Sequence, residues 1–163
     1  AFSFTCWVKL ESPNTSQTTI IFDRGDGTDG FLFKHSSGRL AVFTVEKDNT
    51  EVSVNTGSSN NGGLSSGAMT VGTWYFVSGT HEGLTTSADM KIYVGTADVE
   101  AVNIGTNVNG VALDNSAQDL YLGSRFNKGL PFSGELDDLC FYDKELSEDE
   151  VLRNYNAGKR SHR

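Results

Sequence analysis

Along the first ten positions Phe2, Phe4, Cys6, Val8 and Leu10 share one parity, with polar Ser3, Thr5 and Lys9 between them. A period of two predicts a β-strand with one face turned to a core. Short apolar runs recur at 19–22, 31–34, 40–45, 51–54, 73–80, 90–94, 99–104 and 119–122. Turn residues separate them, among them Ser36-Ser37-Gly38 and Lys47-Asp48-Asn49, and the connection 81–89 reads as hairpin-like. Residues 55–67, rich in Gly, Ser and Asn, read as a mobile loop with little to fix it. A last strand carries Leu136, Leu139, Phe141 and Tyr142. Helical signals gather after it. Ser147 can cap the amide of Glu150, Glu150 can return the bond, and Leu146 can pack on Val151. Glu148, Asp149 and Glu150 suit the positive end of a helix dipole, and Asn156 or Gly158 is a natural stop. A helix over about 147–156 is too short to stand alone, so it must dock on a sheet. Many short strands and one such helix predict an all-β sandwich of two antiparallel sheets.

Several stretches carry a resemblance. Phe4-Thr5-Cys6-Trp7-Val8-Lys9 reads as F-[ST]-x-x-W-[VI]-K, and Gly72-Thr73-Trp74-Tyr75-Phe76-Val77 with Thr80 and Gly83 as G-x-W-[YH]-H-V-x-x-[TS]-x-x-G. Tyr121-Leu122-Gly123 follows, and then Phe132, Gly134, Leu136, Asp137, Asp138, Leu139, Phe141, Tyr142, Leu146, Ser147, Glu150 and Val151 fall on a closing pattern, with Asp138 in place of the usual Glu. In these stretches the chain resembles laminin-G-like domains of the concanavalin A-like lectin and glucanase superfamily. The resemblance implies a jelly roll over residues 1–158 in which the first and last strands are neighbours. It also implies strands upstream of Phe4, so a sandwich lacking its N-terminal strands is expected, completed by other domains or subunits. The expected function is non-catalytic recognition or adhesion in an extracellular, cell-surface or virion setting, with a glycan or protein surface as partner. The alternative is a structural or host-attachment domain of a phage or virus tail or virion protein; the helix end Asn154-Tyr155-Asn156-Ala157 resembles those domains.

Length and composition agree with a packed domain. The chain has 163 residues, ten of them Phe, and 18 Gly against two Pro, as short strands joined by turns require. No apolar run is long enough to cross a membrane as a helix, so no membrane insertion is expected. A net charge of −8 repels phosphate backbones and argues against nucleic acid. Residues 159–163 form a small basic tail, read as a solvated terminus. Cys6 and Cys140 lie in strands that neighbour each other in the family, so a bridge is conceivable. Parity argues against it: Cys6 shares the core face of its strand, whereas Leu139 and Phe141 point inward and leave Cys140 outward.

The first candidate for chemistry is the loop Asp23-Arg24-Gly25-Asp26-Gly27-Thr28-Asp29-Gly30. Carboxylates of Asp23, Asp26 and Asp29, interleaved with glycine, could wrap one structural calcium ion with oxygen ligands, with Asp137 as a further donor. Equally, Asp beside Gly is ordinary hairpin chemistry. Pentraxins, calcium-dependent relatives in the superfamily, have an Asp-Asn pair where this chain has Asp29-Gly30, and an acidic segment where it has Ser124-Arg125-Phe126-Asn127, so the resemblance does not extend to paired calcium. Glu135-Leu136-Asp137 resembles the front of the laminarinase signature E-[IL]-D-x-x-E, whose chemistry needs two carboxylates roughly 5 Å apart on one strand face. Cys140 stands where the acid/base would be, and the expectation is no enzyme. His35, His81 and His162 are isolated in sequence, and no nucleophile elbow or phosphate-binding loop appears. Sugars stack on aromatic faces with polar groups on their hydroxyls. Trp7 and Trp74 fall on motif positions that pack, which leaves Phe126, between Arg125 and Asn127, as the candidate ligand-binding site.

Overall fold

The computed structural model describes residues 1–11, 18–38, 40–83, 88–112 and 118–163. Among them the chain forms β1 (Phe2–Leu10), β2 (Thr19–Gly25), β3 (Gly30–His35), β4 (Ala41–Lys47), β5 (Thr50–Asn55), β6 (Trp74–His81), β7 (Ala88–Thr96), β8 (Val102–Gly110), β9 (Tyr121–Leu122), β10 (Gly134–Tyr142) and α1 (Glu148–Gly158). These strands make two antiparallel five-stranded sheets, in the orders β10-β1-β6-β7-β8 and β5-β4-β3-β2-β9. The chain's two ends meet as expected: Phe4 pairs with Phe141 and Val8 with Leu136. The run expected at 99–104 instead becomes β8, starting at Val102, because Val99 closes a turn by accepting the Thr96 amide at 2.8 Å.

The core lies between the sheets. Phe2, Phe4, Cys6, Val8 and Leu10 of β1 all point into it. The Phe4 ring sits 4.9 Å from Phe22, 5.2 Å from Phe33 and 5.4 Å from Phe43, tilted or edge-on in each case as ring quadrupoles prefer. Gly79, opposite Phe4 on β6, has no side chain because a Cβ there would enter the Phe4 ring. In β10 the spacing from Leu136 to Leu139 breaks the alternation. A bulge at Asp138, with φ of 49°, absorbs the extra residue and keeps Leu136 and Leu139 against the core, with the exposed Phe141 on the same side, its ring 5.2 Å from Phe22. Cys140 therefore faces outward opposite Thr5 while Cys6 is buried, and both thiols are free. Burial pushes the Cys6 thiol far above its ordinary pKa, which leaves it inert.

The outer face of the first sheet has its own cover. Trp7, Phe76, Tyr93 and Ala101 form a second cluster with Leu146, Val151 and Tyr155 of the helical segment. The capping box forms: the Glu150 amide donates to Ser147 Oγ, and the Ser147 amide to Glu150 Oε2 at 3.0 Å. Tyr155 donates its buried hydroxyl to Thr96 O at 2.7 Å, which fixes the helix on the sheet.

Two expectations are corrected. Segment 55–67 is pinned rather than mobile. Thr56 Oγ1 donates to Gly67 O at 2.6 Å and accepts the Ala41 amide, the Tyr75 hydroxyl donates to Gly63 O at 3.0 Å, and Leu64 is buried in the core. These anchors come from distant strands, which local composition does not show. The basic tail is not simply solvated either. His162 is 4% exposed and stacks on Trp7 at 4.5 Å, with its edge to Trp74 and its Nε2 toward Asp137 Oδ2 at 3.2 Å. Of the hairpin-like connection 81–89, residues 84–87 lie outside the described residues, and the flanking β6 and β7 pair antiparallel as expected.

Replacing Trp7 by Ala removes the centre of the outer cluster, and equilibrium denaturant unfolding should register a loss of about 3–5 kcal/mol. Ser147→Ala, which removes the cap alone, should cost about 1 kcal/mol in the same measurement.

Candidate functional site

The second sheet has a different outer face. Its register aligns Asp23, Leu32, Thr44 and Ser53 in one row across β2, β3, β4 and β5, and Gly25, Gly30, Glu46 and Glu51 in another. The core-facing row Phe22, Phe33, Phe43 and Val54 has the opposite parity. Carboxylates are therefore placed on the outer face by strand alternation. The β4–β5 hairpin turns through Asp48 and Asn49, both in the left-handed region at φ of 50° and 62°, as a two-residue turn requires. This turn sets Glu46 opposite Glu51.

Two loops from distant parts of the sequence meet over this face. The loop before β3 needs glycine at Gly30, with φ of 132°, because a Cβ would strike the Arg24 carbonyl. At Gly27 a Cβ would press on the Phe126 ring at 3.3 Å. Segment 123–130 folds back onto β2, its Gly123 amide donating to Ile21 O at 2.8 Å and the Phe126 amide to Asp23 Oδ2 at 3.1 Å. Arg125 then reaches across. Its Nη2 donates to Glu46 Oε1 at 3.4 Å, its Nε stands 3.9 Å from Asp23 Oδ2, and its guanidinium lies 5.6 Å from the Phe126 ring centre. That Nε is buried without a hydrogen-bond acceptor. Further along, Lys34 Nζ donates to Glu51 Oε1 at 2.9 Å, a bridge that spans from β3 to β5 across Thr44. Gly27, Glu46, Asn49, Glu51 and Arg125 line a hollow of about 190 Å³.

The electrostatics follow from burial and partners. Asp23 and Glu46 are nearly buried, and desolvation pushes both carboxyls above their ordinary pKa, against the pull of Arg125 on each and of the Phe126 amide on Asp23. Burial also pushes Glu51 up, but the Lys34 hydrogen bond and charge, with Ser53, outweigh it and hold Glu51 low. Asp26 is exposed and lowered to about 2, first by the Thr28 hydroxyl at 2.7 Å and then by the Thr28 and Asp29 amides.

The sequence candidates are thus partly reunited. Asp23, Arg125 and Phe126 come together, while Asp26 closes its own turn and Asp29 accepts the Asp48 amide at 2.9 Å, tying the loop to the β4–β5 hairpin. Asn127 closes its own turn by accepting the Gly129 amide at 2.9 Å. Asp137 lies in the other sheet, opposite Trp7 and facing His162. As placed, these carboxylates do not fit a calcium ion: each already accepts protein donors, Arg125 sits beside Asp23, and among the described residues no three His, Cys, Asp or Glu gather as a ligand set. Sequence reading missed Glu46, Asn49, Glu51 and Lys34. The signal was there, since a two-residue turn at Asp48-Asn49 pairs Glu46 with Glu51. The three histidines are buried and have hydrogen-bond partners. His81 accepts the Gly83 amide on Nδ1, so its Nε2 carries the proton donated to Val111 O at 2.8 Å, and desolvation keeps the ring neutral.

Comparison with known proteins adds the family. Residues 1–152 match the laminin-G profile of the concanavalin A-like lectin/glucanases superfamily. No curated protein sequence matches the chain. Among solved structures, the CBM40 of Ruminococcus gnavus IT-sialidase bound to alpha2,3 sialyllactose superposes with a TM-score of 0.66 at 15% identity, over 93% of this chain and 80% of that one. The native heptameric SAP-like pentraxin of Limulus polyphemus gives 0.62 at 18% identity, over 93% of this chain and 67% of its own. The binding domain of botulinum neurotoxin DC in complex with SialylT also gives 0.62 at 18% identity, over 96% of this chain but 35% of that longer one. At such identities the likeness is one of fold.

Asp26 gives a direct check of the loop geometry. Its folded pKa lies below its unfolded one, so its contribution to stability is complete above the unfolded value and is lost as pH falls through about 2. A carboxyl-carbon NMR titration should place Asp26 near 2, and Thr28→Val should move it upward.

Proposed function

The chain belongs to the concanavalin A-like lectin/glucanases superfamily, and from that premise we propose that it is a non-catalytic, extracellular recognition module that binds glycans in the hollow beside Arg125 and Phe126. The observation that carries this reading is the convergence of two distant loops on one polar hollow. It offers the acceptors of Glu46 and Glu51, the amide of Asn49, the fixed donors of Arg125 and a neighbouring aromatic ring. A sugar needs that combination, with hydroxyls held by rigid polar groups and a C–H face against an aromatic. Pre-organisation supports it further, because Asp23 fixes the Phe126 backbone before any ligand arrives. The sialyl ligands bound in two of the similar structures are in keeping with glycan recognition on this fold.

The non-catalytic part rests on β10. Glu135 is paired with Lys9, Asp137 accepts the Asp138 amide, and Cys140 occupies the position a glucanase acid/base would need. Neither carboxylate stands ready to act on a glycosidic bond.

A glycan array, followed by calorimetry on the hits, tests the proposal. Phe126→Ala and Asn49→Ala should each weaken binding by about tenfold, the scale of one lost hydrogen bond or stacking contact, with thermal midpoints close to the parent. Binding should survive EDTA, since the carboxylates are already engaged by protein donors. Turnover of any glycan, or unchanged affinity in both variants, would overturn the assignment.

A further inference from the structure

We infer that the glycan taken by this hollow is uncharged, a deepening that rests on the glycan-binding reading. Two cations touch the site, Arg125 and Lys34, and both are committed. Arg125 lies between Glu46 and Asp23, whose side chains are 8% and 2% exposed. Lys34 is held by Glu51. Three carboxylates against two cations leave the site with one excess negative charge; the surrounding segments add Asp26, Asp29 and Asp48 but also Arg24, Lys47 and Lys128, so the local excess stays at one. The whole chain carries −8 in the same sense.

A sialylated, sulfated or uronic glycan meets this arrangement badly. To pair its anion with Arg125 it would have to draw the guanidinium from Glu46, leaving a buried carboxylate without its cation, the costly half of breaking a buried ion pair. It would also approach through an acidic field. A hydroxyl-rich neutral sugar meets no such cost. Its hydroxyls can donate to Glu51, half exposed, and to the outer edge of Glu46 in charge-assisted bonds, while the Asn49 side-chain amide serves its acceptors. The sialyl ligands of similar folds therefore do not carry over: a lone arginine flanked by carboxylates is not an anion site.

Matched oligosaccharide pairs that differ by one sialic acid or one sulfate, titrated by calorimetry with NMR shift mapping on Asn49 and Phe126, decide the point. The neutral member of each pair should bind at least about tenfold tighter, and the gap should narrow as salt screens the field. Glu46→Gln, which keeps the shape and releases Arg125, should narrow the same gap in favour of the acidic member. Tighter binding of acidic members to the unaltered protein, with shifts at these residues, overturns this inference while leaving glycan binding intact. Binding of no glycan at all, neutral or acidic, sinks the parent reading and this one with it.

Discussion

Strand β1 is buried on both faces, and the placement of every other layer follows from what must cover it. Its inward residues need a second sheet, and its outward Trp7 needs something on the far side. A strand of this kind cannot lie in a two-layer sandwich with one face to water, so the chain adds a third, partial layer from its C-terminal segment. Burying Trp7 releases far more free energy than a capped helix of eleven residues could supply alone. The helix therefore exists because Trp7, Phe76 and Tyr93 need covering, while its capping box fixes where it begins. Gly158 makes the fit at the other end, since a side chain there would collide with the Trp7 indole.

The two sheets solve the problem of an outer face differently, and the position of the proposed glycan site follows from that difference. The first sheet uses hydrophobic cover, which occupies the surface. The second uses charge. Asp23, Glu46, Glu51, Lys34 and Arg125 shield Leu32 and Thr44 by spanning over them, and a cover made of side-chain tips leaves a hollow with polar walls. Buried carboxylates without a cation would be severely destabilising, so Arg125 is a structural necessity before it is a ligand contact. The same requirement holds segment 123–130 in place, because a guanidinium that must reach Asp23 and Glu46 cannot wander.

How much of this could be read beforehand depended on whether the signal was local. Alternation in β1, the capping box at Ser147 and the parity of Cys6 against Cys140 are properties of neighbouring residues, and the structure agrees with each. The three-residue step from Leu136 to Leu139 was also visible, and it is the mark of the bulge at Asp138. The pinned segment 55–67 and the docked His162 were illegible because their partners, Ala41 and Tyr75 for one and Trp7 for the other, are far away in sequence. The site falls between these cases. Asp23, Arg125 and Phe126 could be named singly from their loops, but their meeting depends on the pairing of β2 with β9, which composition does not encode. Glu46 and Glu51 were hidden for a subtler reason: each looks like an ordinary solvated charge until the turn at Asp48-Asn49 sets the register that places them side by side.

That register explains why a charged face and a stable sheet are compatible here. Like charges directly opposite on adjacent strands repel, and Glu46 against Glu51 is such a pair. Each is relieved from a different side, Glu46 by Arg125 from the loop and Glu51 by Lys34 from β3. The repulsion is thus resolved by drawing in two cations from elsewhere, and the gap kept open between the two acids becomes the floor of the hollow. A neutral pair at these positions would make a quieter sheet, with Asp23 alone to draw Arg125 inward and no acidic wall for a sugar to meet.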